Sequence, residues 1–199
     1  MIREAKIYCW SLLLLIPLTA SGGDRYPAEF ALSSGKSFST KSNINLYRLS
    51  LGGRLFESKT LGENWRLESH WETSIADLRT DVPDCCNYSR GHEETLVGAL
   101  SPVFRLRAPG HFHGAARPYL EFGIGAAWFQ HKTLAAYDYS EGELGSHLQF
   151  EDRIAIGLEL PRWPDVSIKF SIMHYSNANL GDTNDGINLR MLSISLPLR

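Results

Sequence analysis

A histidine and a serine stand two places apart, at His174 and Ser176, in the stretch IMHYSNANLGDTNDGINLRM that occupies 172–191. A serine hydroxyl is a weak nucleophile until a neighbouring base takes its proton, and that base works best when a third group fixes its tautomer and orientation. In an extended strand, side chains two apart share a face and their Cα atoms lie roughly 7 Å apart, within reach of an imidazole-to-hydroxyl hydrogen bond. Asn188 becomes the third group if a hairpin folds it back beside His174. An asparagine can orient an imidazole through a hydrogen bond, but it cannot neutralise the imidazolium as a carboxylate would. The same three side chains also suit a strand end that meets lipid headgroups and water, and spacing alone does not separate the two roles.

The elements that must position these residues read as strands. Eight segments with two-residue alternation, at 29–36, 43–56, 64–79, 94–106, 118–129, 150–160, 166–176 and 188–198, are separated by polar or Gly/Pro-containing stretches, with no convincing amphipathic helix and no internal repeat. From Val166, one face carries Val166, Ile168, Phe170, Ile172, His174 and Ser176, and the other Ser167, Lys169, Ser171, Met173 and Tyr175. Ile154, Ile156 and Leu158 oppose Glu151, Arg153 and Glu159; Leu120, Phe122, Ile124 and Trp128 oppose Glu121, Gly123 and Gly125; Tyr47, Leu49 and Leu51 oppose Arg48, Ser50 and Arg54. Arg66, Glu68 and Glu72 likewise fall opposite Trp65, Leu67 and Trp71.

A soluble sandwich shows the same alternation, with its polar face in water. Three features favour a membrane barrel with the polar face inward. The polar faces carry both charge signs, several segments are 10 or more residues long where soluble strands average about 5–6, and the N-terminus reads as a secretory signal. Arg3 and Lys6 precede the apolar stretch from Ile7 to Ala20 and the small residues Ser21, Gly22 and Gly23, an order that predicts a signal peptide over 1–22 with cleavage near 20–22. The 14-residue stretch is short for a membrane span. Residues 23–199 are then one all-β domain, an eight-stranded antiparallel transmembrane β-barrel of the outer membrane. Strands of about 9–11 residues cross a bilayer when tilted, and closure satisfies every backbone hydrogen bond. Paired Arg, Glu and Lys side chains would fill so narrow a barrel. Trp65, Trp71, Trp128, Tyr137 and Trp163 are candidate interface aromatics.

An even strand number puts both termini on the periplasmic side and the longer connections, at 80–93, 130–149 and 177–187, outside. His174 and Ser176 then point to lipid at the outer leaflet, and Asn188, sharing parity with Leu192, Ile194, Leu196 and Leu198, joins them across a short outer hairpin.

His174-Tyr175-Ser176-Asn177-Ala178 followed by Asn184-Asp185-Gly186-Ile187 closely resembles the signature of the outer-membrane lipid A 3-O-deacylases of the PagL type. The motif covers about 15 residues; elsewhere the agreement is in length, signal and strand pattern. The resemblance implies an eight-stranded barrel in the outer membrane of a Gram-negative cell. It implies a serine esterase that hydrolyses the ester-linked 3-hydroxyacyl chain at position 3 of lipid A, with lipopolysaccharide as substrate. It makes Ser176 the nucleophile and His174 the general base, and it puts Asn188 at the position of the family's acidic triad member, usually Glu. The oxyanion hole falls on the amides of Ala178 and Asn179 and the side chain of Asn184; Asn179 stands where glycine is common in the family. No cofactor is implied. A non-catalytic barrel of the same shape, used for adhesion or membrane integrity with the triad degenerate at Asn188, is the competing class.

With 20 basic and 22 acidic side chains the chain is nearly neutral, which gives no footprint for nucleic acid. Cys85 and Cys86 are adjacent and support no disulfide framework, and their redox state stays open. Asp182-Thr183-Asn184-Asp185-Gly186 lacks the spacing and terminal Glu of a calcium loop and reads as a turn. His111-Phe112-His113 has no nearby Cys or acidic ligand, so no metal site is expected. Gly123 and Gly125 are read as relieving crowding inside the barrel. Whether the barrel forms a homodimer is not decided.

Overall fold

The computed structural model describes residues 28–38, 43–62, 64–81, 91–109, 116–135, 141–160 and 166–198. The expected signal segment, Cys85, Cys86, His111, His113, Tyr137 and Trp163 lie outside the described residues.

Eight long strands close into an antiparallel barrel: β1 (Ala28–Ser37), β2 (Ile44–Leu61), β3 (Trp65–Thr80), β4 (Glu94–Arg107), β5 (Arg117–Phe129), β8 (Leu148–Leu160), β9 (Val166–Ser176) and β10 (Ile187–Leu198). Each pairs with its chain neighbours, and β10 pairs with β1 to shut the cylinder. All eight expected segments are strands, because a period of two with one apolar face is the pattern a barrel wall imposes. β2 runs further than its alternation suggested, to Leu61, with register shifts between Arg54 and Phe56 and between Phe56 and Lys59. A short hairpin of β6 (Thr133–Ala135) and β7 (Glu141–Glu143), absent from the sequence reading, rises from the outer connection between β5 and β8.

The faces divide as alternation requires. Leu120, Phe122, Ile154, Ile156, Phe170, Ile172, Leu192 and Ile194 are exposed on the outer wall, while Arg48, Glu72, Arg105, Glu121, Glu151, Arg153 and Lys169 are buried in the lumen. A soluble sandwich would bury the first set, so the all-β membrane barrel holds and the chain crosses a membrane by strands. Trp65 and Trp128 are exposed on opposite ends of the wall, and Trp71 is half-buried on the same outward face.

The lumen is built in two layers. Toward the periplasm, Arg48 bridges Glu72 at 2.9 Å and Glu151 at 2.7 Å, Arg153 meets Glu72 at 2.6 Å, and Glu121 accepts from Lys169 at 2.6 Å and from Arg105 at 2.9 Å. Tyr175 donates its hydroxyl to Glu151 at 3.0 Å. Toward the outside the filling is apolar: Ile44, Leu46, Leu78, Val97, Phe129, Met173, Leu189 and Met191 pack together, with Leu134 and Leu144 from the β6–β7 hairpin and its exit closing the top. Paired charges were expected throughout, and they fill only the inner layer. The outer layer is sealed by side chains of the nominally polar parity that are themselves apolar, such as Met173 and Met191. Of the two strand glycines, Gly125 does relieve crowding, since a Cβ there would lie 2.1 Å from Ser101 Oγ, whereas at Gly123 it would meet Val103 at an ordinary 3.4 Å.

Candidate active site

β9 and β10 bring the expected residues together. In their register His174 lies directly opposite Asn188, and Tyr175 opposite Ile187. Both site residues share the outward parity of Ile172 (44% exposed) and Leu192 (56% exposed). The three-residue cluster therefore sits on the lipid-facing wall where the apolar run ends.

His174 Nδ1 lies 2.8 Å from Asn188 Oδ1. With a carbonyl oxygen as acceptor, Nδ1 carries the proton, and Nε2 is left as the basic nitrogen. Gly186 lies against the imidazole: a Cβ at that position would be 2.7 Å from His174 Cε1, so glycine is what allows the loop to close over the ring. Ser176, the last residue of β9, is half-buried on the same face. No hydrogen bond joins its hydroxyl to His174 among the described residues. Such contacts are often long before substrate binds.

The loop after the serine turns sharply through two consecutive left-handed residues, Ala178 (φ 52°) and Asn179 (φ 61°). For a residue with a Cβ this conformation costs on the order of 1–2 kcal/mol, so surrounding contacts must over-determine it. Asn177, 1% exposed, supplies them. Its Oδ1 accepts from the Asn179 amide at 2.8 Å, its carbonyl accepts from the Leu180 amide at 3.0 Å, and its Nδ2 donates to the carbonyls of Leu144 at 2.8 Å and Thr183 at 2.6 Å. Asn184 Oδ1 accepts from the Asn177 amide at 3.0 Å, and Asn184 Nδ2 donates to Asn179 Oδ1 at 3.1 Å. The loop is also tied to β7 through the Asp185 amide, which donates to the Glu143 carbonyl at 2.9 Å.

This network redistributes the expected oxyanion donors. The Asn179 amide is engaged by Asn177, so Asn179 acts as a turn residue that holds the loop. The Ala178 amide has no hydrogen-bond partner among the described residues, and the Asn184 amide keeps one N–H beyond the one given to Asn179. Sequence reasoning missed Asn177, whose role depends on carbonyls 33 and 6 residues away. It also missed Asp152, which stands opposite His174 on β8 with outward parity, although that parity was readable from Ile154 and Ile156.

An apolar groove opens on the wall beside the cluster, lined by Leu192 and Ile194 of β10, Phe30 and Leu32 of β1, and Tyr47 and Leu49 of β2, among others. Leu192 lines it, and the concavity extends toward β1 and β2 rather than under Ile172.

Comparison with known proteins agrees with this arrangement. Residues 45–197 match the family described as Lipid A 3-O-deacylase (PagL). A lipid A deacylase PagL of Pseudomonas aeruginosa is 33% identical over 142 residues, covering 69% of this chain and 76% of that protein. A lipid A deacylase PagL of Bordetella bronchiseptica is 31% identical over 98 residues, covering 44% of this chain and 51% of that protein. The crystal structure of the outer membrane enzyme PagL superposes with a TM-score of 0.68 at 27% identity, over 86% of this chain and all of that one. Neisserial surface protein A, at 8% identity and a TM-score of 0.52 over 86% of this chain and 96% of that one, shares the fold alone.

Proposed function

From the premise that the chain belongs to the lipid A 3-O-deacylase (PagL) family of the outer membrane, we propose that it removes the acyl chain at position 3 of lipid A by serine esterase chemistry, with Ser176 as nucleophile, His174 as base and Asn188 as orienting residue. The observation that carries this reading is the His174 Nδ1 to Asn188 Oδ1 contact of 2.8 Å, because it leaves Nε2 unprotonated on the face that Ser176 shares. Ser176 Oγ attacks the acyl carbonyl carbon as His174 Nε2 takes its proton. The Ala178 amide and the remaining Asn184 N–H receive the oxyanion, and collapse breaks the ester bond to the sugar, whose oxygen takes the proton back from His174. Water, deprotonated by the same imidazole, then hydrolyses the acyl-enzyme and frees the hydroxy fatty acid.

The lipid-facing position suits this substrate. Lipid A already lies in the outer leaflet, so its ester can reach Ser176 by lateral diffusion while its acyl chains stay in an apolar medium. Neutral Asn188 fixes the tautomer but leaves the transient imidazolium without a carboxylate partner on that side. The test is mass spectrometry of lipid A from cells expressing the wild-type chain and Ser176→Ala. The wild type should release one 3-hydroxyacyl chain and the variant none; an unchanged acyl pattern in both would favour the non-catalytic barrel.

A further inference from the structure

Two cations occupy the lipid-facing wall immediately beside the site. Lys36 of β1 and Arg190 of β10 are register partners, which places their Cα atoms about 4.5–5.5 Å apart. Arg190 is also opposite Ile172 and lies one outward position from Asn188 on its own strand. Both side chains are exposed, and neither makes an ion pair or hydrogen bond among the described residues. Two outward carboxylates on neighbouring strands are placed elsewhere: Asp77 on β3 accepts from Arg79 at 2.8 Å, and Asp152 lies across β9 opposite His174.

Their setting at the outer end of the wall leaves both charges free to meet an anion in the membrane interface. Arginine on the lipid face of a barrel is destabilising in a depth-dependent way, least near the interface and most at the midplane. Each sits at the end of an apolar run, Arg190 above Leu192 and Ile194, and Lys36 above Ser34 and Leu32. Those same residues line the apolar groove, so the two cations form its upper rim. A concave apolar track, a pair of unpartnered cations at its head and the catalytic cluster on β9 and β10 make a site with three chemically distinct parts. Guanidinium and ammonium together match a phosphate, the guanidinium in bidentate fashion and the ammonium as a point charge.

We propose that Arg190 and Lys36 bind the phosphate at position 1 of lipid A and so fix which ester reaches Ser176. This rests on the site assigned above. Reach separates the two phosphates: position 1 belongs to the sugar that carries the 3-linked chain. A substrate with acyl chains in the groove and its 3-ester at Ser176 therefore brings that phosphate toward the rim, whereas the phosphate on the second sugar is one sugar further from the scissile ester.

The test is a substrate–variant cycle on the purified full-length protein in neutral detergent. Wild type and Arg190→Gln/Lys36→Gln are assayed on bisphosphorylated lipid A and on forms lacking either the 1-phosphate or the phosphate of the second sugar. Heat-modifiable gel mobility serves as the folding check. The expected result is that removing the 1-phosphate raises the wild-type KM about tenfold with little change in kcat. The double variant should show that loss on the intact substrate and no further loss when the 1-phosphate is removed. Equal penalties in wild type and variant, no change in the variant's KM, or a dependence on the second sugar's phosphate instead would overturn the proposal. So would a loss that follows the total anionic lipid in the micelle. Ser176→Ala measured beside them keeps the two readings apart: retained activity there would remove the nucleophile assignment while leaving the phosphate cycle readable.

Discussion

The lumen and the outer wall treat charge in opposite ways. Inside, Arg48, Arg105, Arg153 and Lys169 each lie within 3.0 Å of a carboxylate. Outside, at the β9–β10–β1 edge, His174, Ser176, Asn188, Arg190 and Lys36 face lipid with one short contact among them, His174 to Asn188. A buried charge without a partner is strongly destabilising, so each of these lumen cations is held against an opposite charge. Polar groups on the outer wall contribute little to the fold, and their placement is explained by what they meet in the membrane.

The largest expected effect comes from breaking the outer wall. Ser176→Ala or His174→Ala should lower deacylation by about 10⁴-fold or more, as removal of triad members does elsewhere. The denaturant midpoint of the barrel refolded in lipid vesicles should stay within experimental error. A large stability loss would mean that these residues belong to the scaffold.

Breaking the lumen should do the reverse. Glu121→Ala leaves Lys169, Arg105 and Arg153 facing one another and should cost about 3–5 kcal/mol of unfolding free energy. Protein that remains folded should deacylate at nearly the wild-type rate. Comparable loss of turnover in the folded fraction would show that the inner layer acts on the site.

Asn188→Glu sharpens the comparison by moving a charge outward. A carboxylate beside His174 stabilises the imidazolium formed in the transition state, so kcat should rise about tenfold. A fall in kcat with stability unchanged would mean that the asparagine contact itself is needed.

The smallest effect concerns the outer hairpin. His131 stacks on His92 with ring centroids 3.6 Å apart. Desolvation, then the neighbouring His92 and His147, lower its pKa, with Glu94 opposing them. A lowered histidine pKa stabilises the fold above the ordinary value of about 6.5, and that stabilisation is lost as pH falls through it toward the folded value. The protection factors of 131–135, taken from hydrogen exchange after division by the intrinsic rate at each pH, should therefore fall modestly between pH 7.5 and pH 5; unchanged protection factors would dismiss the effect.

Much of this was legible in the sequence because a barrel wall repeats every two residues. The eight strands, their inward and outward faces and the His174–Asn188 pairing all follow from parity and one short hairpin. The β6–β7 hairpin was not legible, since strands of three residues such as Thr133–Ala135 carry no readable alternation. Nor was the apolar outer layer of the lumen, because Met173 and Tyr175 were counted only as members of a polar face. Asn177 escaped because its importance lies in carbonyls that only the folded loop brings near.

Everything proposed for the outer wall turns on a lipid-facing serine, Ser176, being the nucleophile. Treating the folded, active protein with a lipophilic fluorophosphonate and locating the adduct by peptide mass spectrometry tests it most directly. One adduct is expected, on Ser176, appearing in step with loss of deacylation and absent from His174→Ala. Complete inactivation with the label on another residue, or full activity with Ser176 fully labelled, would contradict it.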